Sequence, residues 1–270
     1  MTVSSYERIG YAVADGVALI ELNDPPANTY SYEMMREIDD AVLAARMDDT
    51  VHVIVVTGAG DKFFCAGANI GMLKTASPAF KYYFCLHANE TLNRLEQTPK
   101  LVIAGLNGHT VGGGLEVAMA ADIRVARQGG GKIGVPEVAL GVLPGTGGTQ
   151  RLARLVGKAR AIELMVTGAL LSFEGGREIG LVNQVWGESE LSGRSFRDAV
   201  VDYARGFTPP HKASKAVGHI KRSVQSGLEM SFSEGLALER ELQQRLFESD
   251  DAREGIAANL DKRKPKFAGR

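Results

Sequence analysis

Cysteine is nearly absent. Cys65 and Cys85 are the only two in 270 residues, with no C-x-x-C and no dense spacing, so neither a disulfide framework nor a redox or zinc motif is indicated. No charge of one sign predominates, since Lys+Arg 31 stands against Asp+Glu 32. That balance gives no general electrostatic reason to bind nucleic acid or an anionic membrane, although a local basic patch stays allowed. No apolar run approaches the roughly 18 residues that span a bilayer. The opening MTVSSYERIG lacks both the apolar stretch of a signal peptide and the Arg-rich look of a transit peptide. The chain therefore reads as cytoplasmic, or as a mature organellar product, with no nucleic-acid or membrane partner. A Gly-x-Ser-x-Gly elbow is also missing, and the five histidines are scattered, so neither a Ser-His-Asp nucleophile nor a metal site is expected.

What is present is the composition of an ordinary globular protein, 44% hydrophobic and 23% charged. Val17 to Leu22 and Val51 to Thr57 are short β-branched runs, and Ser31 to Met47 between them carries a helical pattern behind a Ser cap. The alternation continues through Leu101 to Leu106, a glycine-opened helix from about Gly113, and the apolar run Ala121 to Ala126, so a layered α/β fold follows. Phe80 to Leu95 reads as a helix that gathers aromatics on one face. Beyond Pro209 and Pro210 the pattern turns to helices with little strand signal. This divides the chain into a core over 1–205 and a helical region over 206–270.

Asn107 to Glu116 places three successive glycines, Gly112, Gly113 and Gly114, between a strand and a helix. Residues without side chains let a ligand reach the backbone, and the first N–H groups of a helix suit an oxygen gaining negative charge. A flexible turn is the plainer reading. Phe63 to Ile70 forms a second small-residue stretch after a strand. Its neighbour Gly58-x-Gly60-x-x-Phe63 misses the dinucleotide fingerprint, because bulky Phe63 stands where the third glycine belongs. Glu116 and Glu137 lie among apolar neighbours, where a carboxyl tends to hold its proton, and two such groups could keep one water between them. Surface carboxylates are the competing account. His109 reads more readily as structural than as a ligand, and Cys65 as a small buried hydrophobe rather than a nucleophile.

These segments together resemble the enoyl-CoA hydratase/isomerase (crotonase) family. The likeness is carried by Ile54 to Gly58, Phe64-Cys65-Ala66-Gly67-Ala68, Asn107 to Gly114, Ala121 to Arg124, Pro136-Glu137, Leu143 to Leu152, and the tail from Glu254-Gly255 to Phe267. The resemblance implies a crotonase-like spiral of repeated ββα units with a C-terminal helical trimerisation region, assembled as a homotrimer or homohexamer. It also implies an acyl-CoA thioester substrate, coenzyme A being part of the substrate and no further cofactor being needed. An oxyanion hole would come from the N–H groups of Ala68 and Gly113, where charge on the thioester oxygen is stabilised.

Both positions that flank the catalytic water in the family's hydratases are glutamates here, Glu116 and Glu137. The implied activity is thus a carbon-oxygen lyase, an enoyl-CoA hydratase, with one glutamate as acid and the other as base. Which is which stays open. Isomerisation of the double bond, hydration of a branched, cyclic or heteroatom-bearing acyl-CoA, and non-catalytic acyl-CoA or RNA binding are the alternatives. Ala66 and Ile70 match the CoA groove, Tyr83 and Phe84 lie on a helix that corresponds to the side of the acyl pocket, and Lys266 and Phe267 match a terminus that reaches the CoA of a neighbouring subunit. Departures from the pattern are Asn69 in place of the usual Asp, the atypical stretch Thr29 to Tyr32, and Gly129-Gly130-Gly131, which reads as a surface-loop variation.

Overall fold

The computed structural model describes residues 6–270; residues 1–5, part of the opening read above as lacking a leader, lie outside the described residues. Strands β1 (Ile9–Ala14) and β2 (Val17–Leu22) form an antiparallel hairpin. Its turn is Asp15-Gly16, both at positive φ, which matches the twist of the flanking strands. Helix α1 (Tyr32–Met47) begins at Ser31, whose side chain accepts from Met34 N, and it buries Met34, Met35, Ile38 and Val42. Three units of two strands and a helical segment follow. The first is β3 (Val53–Gly58) and β4 (Phe63–Cys65) with α2 (Ile70–Thr75) and α3 (Pro78–Gln97). The second is β5 (Leu101–Leu106) and β6 (His109–Val111) with α4 (Gly113–Met119). The third is β7 (Ile123–Arg127) and β8 (Lys132–Gly134) with a 3-10 turn, Glu137–Leu140.

In each unit the first strand joins a large sheet, ordered β1-β2-β3-β5-β7-β10, and the second joins a small sheet, ordered β4-β6-β8-β9. Here β9 is Leu171–Ser172 and β10 is Gln184–Trp186. This is the spiral of ββα units. Alternation of side chains sorts the central strands between two cores: Ile54, Val56, Val102 and Ala104 face α1, whereas Val53, Val55, Leu101 and Ile103 lie with Phe196, Ala199 and Val200. Burial on both faces is why these strands are continuous apolar runs.

Helices α5 (Gly148–Val156), α6 (Lys158–Thr167), α7 (Phe173–Glu178), α8 (Glu188–Leu191) and α9 (Phe196–Arg205) complete the core layers. Helices α10 (Ser214–Gly227), α11 (Phe232–Phe247) and α12 (Asp250–Leu260) close the chain. Among the described residues no helix is long and apolar enough to cross a membrane. Of the three glycines read as a surface-loop variation, Gly129 is open, but a Cβ on Gly131 would lie 2.5 Å from His109 N. That part of the β7–β8 turn is packed rather than free.

The small sheet positions the site. Because β4, β6 and β8 are parallel neighbours, their carboxyl ends lie on one side, and the residues that follow each of them are delivered side by side. Helix α10 is fixed beneath the large sheet by a buried ion pair, Lys221 Nζ to Asp122 Oδ2 at 2.8 Å, with Val102 N and Gln225 Nε2 also donating to Asp122. Burial pushes the Asp122 carboxyl up and the Lys221 ammonium down, so neither charge tolerates loss of its partner. Lys221→Ala is expected to destabilise the protein by about 3–5 kcal/mol, the usual result of stranding one member of a buried pair. Denaturant unfolding checks this, and an unchanged midpoint would show that the pair contributes nothing.

Candidate active site

After β4 the chain runs antiparallel to nothing and parallel to Tyr30: Tyr30 N donates to Gly67 O at 3.0 Å, and Asn69 N donates to Tyr30 O at 3.0 Å. In that pattern the residue between, Ala68, turns its own N–H to the opposite side. After β6 the helix α4 begins at Gly113, whose N–H has no intrahelical acceptor. The two segments touch, since a Cβ on Gly67 would stand 3.1 Å from Gly113 N. Among the described residues neither Ala68 N nor Gly113 N has an acceptor. Two free donors thus meet in one place.

Each glycine of the triplet answers a separate constraint. Gly112 has φ 59°, ψ −134°, a conformation suited to glycine, and a Cβ there would meet Glu137 Oε1 at 2.9 Å. A Cβ on Gly113 would overlap the Tyr30 hydroxyl, and one on Gly114 would overlap the Cys65 carbonyl. The triplet is therefore a close-packed junction and not a flexible turn.

The two glutamates face the same space in different environments. Glu116 is buried in the first turn of α4, and its carboxylate accepts from Thr146 N at 2.8 Å, from Gly148 N at 2.6 Å and from the Thr146 hydroxyl. The loop that supplies these donors is tied to α3 by Arg151, which bonds Thr146 O, Asn93 and Glu96. Glu137, at the start of the 3-10 turn after β8, is half-buried, and its Oε2 has no partner. Burial, with a smaller contribution from the Glu116 charge, pushes its carboxyl up to about 7. One carboxylate is saturated with donors; the other is held near its protonated form at neutral pH.

Ala66, Ala68, Ile70, Gly113, Glu116 and Glu137 all line one cavity of about 270 Å³. Tyr83 and Phe84 do not. Phe84 is buried against Tyr30, with ring centroids 5.9 Å apart, and Tyr83 points outward, edge-on to Tyr82. The phase of α3 presents Lys81 to the cavity instead. Lys266 and Phe267 are also elsewhere within the chain: Lys266 N donates to Glu254 Oε1 at 2.8 Å, and Phe267 lines a second cavity of about 330 Å³ between α10, α11 and α12. His109 is structural, its Nδ1 accepting from Lys132 N at 3.1 Å. Cys65 is buried with its thiol pushed up to about 12, which leaves it inert. Thr146 lines the cavity from the loop that resembles the family's segment near the thioester, whereas sequence reasoning missed Tyr30 and Lys81 as lining residues. The one available signal was that Tyr30 falls in a stretch atypical for the family.

The sequence profile described as enoyl-CoA hydratase/isomerase matches residues 12–270. The chain is 34% identical to the crotonyl-CoA hydratase of Syntrophomonas wolfei over 97% of its own length and 98% of that protein's. It is 35% identical to the short-chain-enoyl-CoA hydratase of Clostridium acetobutylicum, over 92% of each. Among solved structures, an enoyl-CoA hydratase from Geobacillus kaustophilus superimposes with a TM-score of 0.93 at 43% identity, covering 99% of this chain and 98% of that one. With the profile spanning all but the first eleven residues, the chain belongs to the enoyl-CoA hydratase/isomerase family.

Proposed function

We propose that this protein hydrates a 2-enoyl-CoA to a 3-hydroxyacyl-CoA, taking an acyl-CoA thioester as substrate and using no separate cofactor. The observation that carries the reading is the placement of Glu116 and Glu137 on one cavity beside two unengaged main-chain donors. Crotonyl-CoA and short-chain enoyl-CoA are what two relatives of nearly the same length are named for, so a short acyl group is the first substrate to try.

The thioester oxygen would accept from Ala68 N and Gly113 N. Glu116, whose carboxylate accepts from three donors, takes a proton from water as the water oxygen bonds to Cβ. The π electrons move toward the thioester, and the enolate oxygen is stabilised by the two N–H groups more strongly than the ground-state carbonyl is. Glu137, held near its protonated form, delivers a proton to Cα. Exchange with solvent then returns Glu116 to carboxylate and Glu137 to acid. Ala66 and Ile70 would border the CoA groove. Tyr83 and Phe84 act, if at all, only from behind the wall that Tyr30 and Lys81 form.

Residues 1–205 are assigned to catalysis and 206–270 to assembly, as a homotrimer or homohexamer in which Lys266 and Phe267 serve a neighbour's CoA. Supporting this, α10 to α12 and their connections leave Leu228, Phe232, Phe247 and Leu260 exposed, apolar side chains that an interface would cover. Two unpaired cysteines suit a reducing, cytoplasmic setting.

On addition of the protein to crotonyl-CoA, the ultraviolet absorbance of the enoyl thioester should fall; binding without loss of absorbance would contradict the reading. Glu116→Gln and Glu137→Gln should each lower turnover by more than about a hundredfold, with CoA affinity little changed. Full activity in either removes that residue from the mechanism. Because Glu137 must be protonated to act as acid, kcat/KM should fall as pH rises through about 7, and a flat profile to pH 9 would contradict its role. Sedimentation should give three or six copies; a stable monomer would contradict the assembly.

A further inference from the structure

Tyr30 touches both donor segments and the loop that holds Glu116. Its main chain forms the bridge that turns the Ala68 N–H outward, with Tyr30 N to Gly67 O and Asn69 N to Tyr30 O both at 3.0 Å. Its ring and hydroxyl lie directly under Gly113, leaving no room for a Cβ there. Its hydroxyl is 3.2 Å from Thr146 Oγ1, and the Thr146 hydroxyl in turn bonds Glu116 Oε2.

Hydrogen-bond chemistry fixes the direction of that chain. A carboxylate oxygen only accepts, so Thr146 spends its single hydroxyl proton on Glu116. The oxygen of Thr146 must then accept from Tyr30. The phenol is suited to this, because burial and the Glu116 charge push it well above its ordinary range and keep it protonated. The result is a directed relay, Tyr30 to Thr146 to Glu116, whose bonds strengthen one another in a dry setting. A phenylalanine at this position would fill the same volume, so packing alone gives no reason for the hydroxyl.

We propose that Tyr30 is a positioning residue, which holds the two thioester-oxygen donors in register through its backbone and ring and fixes the base Glu116 through Thr146. The role rests on the hydration reading above, with Glu116 as base. Loss of the hydroxyl would leave Thr146 free to rotate, and Glu116 would spend part of its time with two donors instead of three.

Steady-state hydration of crotonyl-CoA by Tyr30→Phe, Thr146→Val, Thr146→Ser and the Tyr30→Phe/Thr146→Val double variant tests this. Tyr30→Phe should lower kcat by roughly tenfold, the worth of about one hydrogen bond, with KM within about twofold. Thr146→Ser, which keeps the hydroxyl, should lose less kcat than Thr146→Val, and the effect of Tyr30→Phe should vanish in the Thr146→Val background. Wild-type kcat in Tyr30→Phe, or an undiminished effect in the Thr146→Val background, overturns the positioning role alone. An inactive wild type overturns both readings.

Discussion

Parallel pairing of β4 with β6 is the constraint on which the site depends. Register across that pair, Phe63 with His109 and Cys65 with Thr110, fixes where the chain emerges from each strand. From there, the bridge to Tyr30 turns Ala68 N–H away from it and α4 starts at Gly113 with an unengaged N–H, both residues lining one cavity. Backbone donors aimed in this manner need no reorganisation when charge develops on an oxygen between them. The cost falls on the sequence. Gly112, Gly113 and Gly114 each stand where a side chain would strike Glu137, Tyr30 or Cys65.

The division of labour proposed for the glutamates rests on the same geometry. Both carboxyls reach one cavity, yet Glu116 comes from a buried helical turn facing the donor-rich Thr146 to Gly148 loop, while Glu137 comes from a 3-10 turn with an unpartnered oxygen. Identical side chains meet different surroundings: Glu116 accepts from three donors, whereas burial pushes the Glu137 carboxyl up to about 7. Sequence position alone left this assignment open.

Much of the fold was legible because local chemistry agreed with the tertiary answer. The runs Val17 to Leu22 and Leu101 to Leu106 became strands with those bounds, and Ser31 capped α1. Contacts over long sequence separations were not legible. Tyr30 and Thr146 are 116 positions apart, and nothing local marks them as partners. Helix α3 shows a second kind of failure: the resemblance set it beside the acyl pocket, but that does not reveal which of its side chains meet the cavity. Phase chose Lys81, sent Phe84 into the core against Tyr30, and left Tyr83 outside. Lys266 and Phe267 illustrate a third: the resemblance set them at the CoA of a neighbouring subunit, and within their own chain they lie away from the cavity.

The most direct test of the central claim is a crystal structure with butyryl-CoA, a saturated thioester that cannot be hydrated. The account predicts its carbonyl oxygen about 2.7–3.1 Å from both Ala68 N and Gly113 N, with Cβ facing Glu116 and Glu137. A thioester oxygen beyond hydrogen-bond reach of either nitrogen would contradict it.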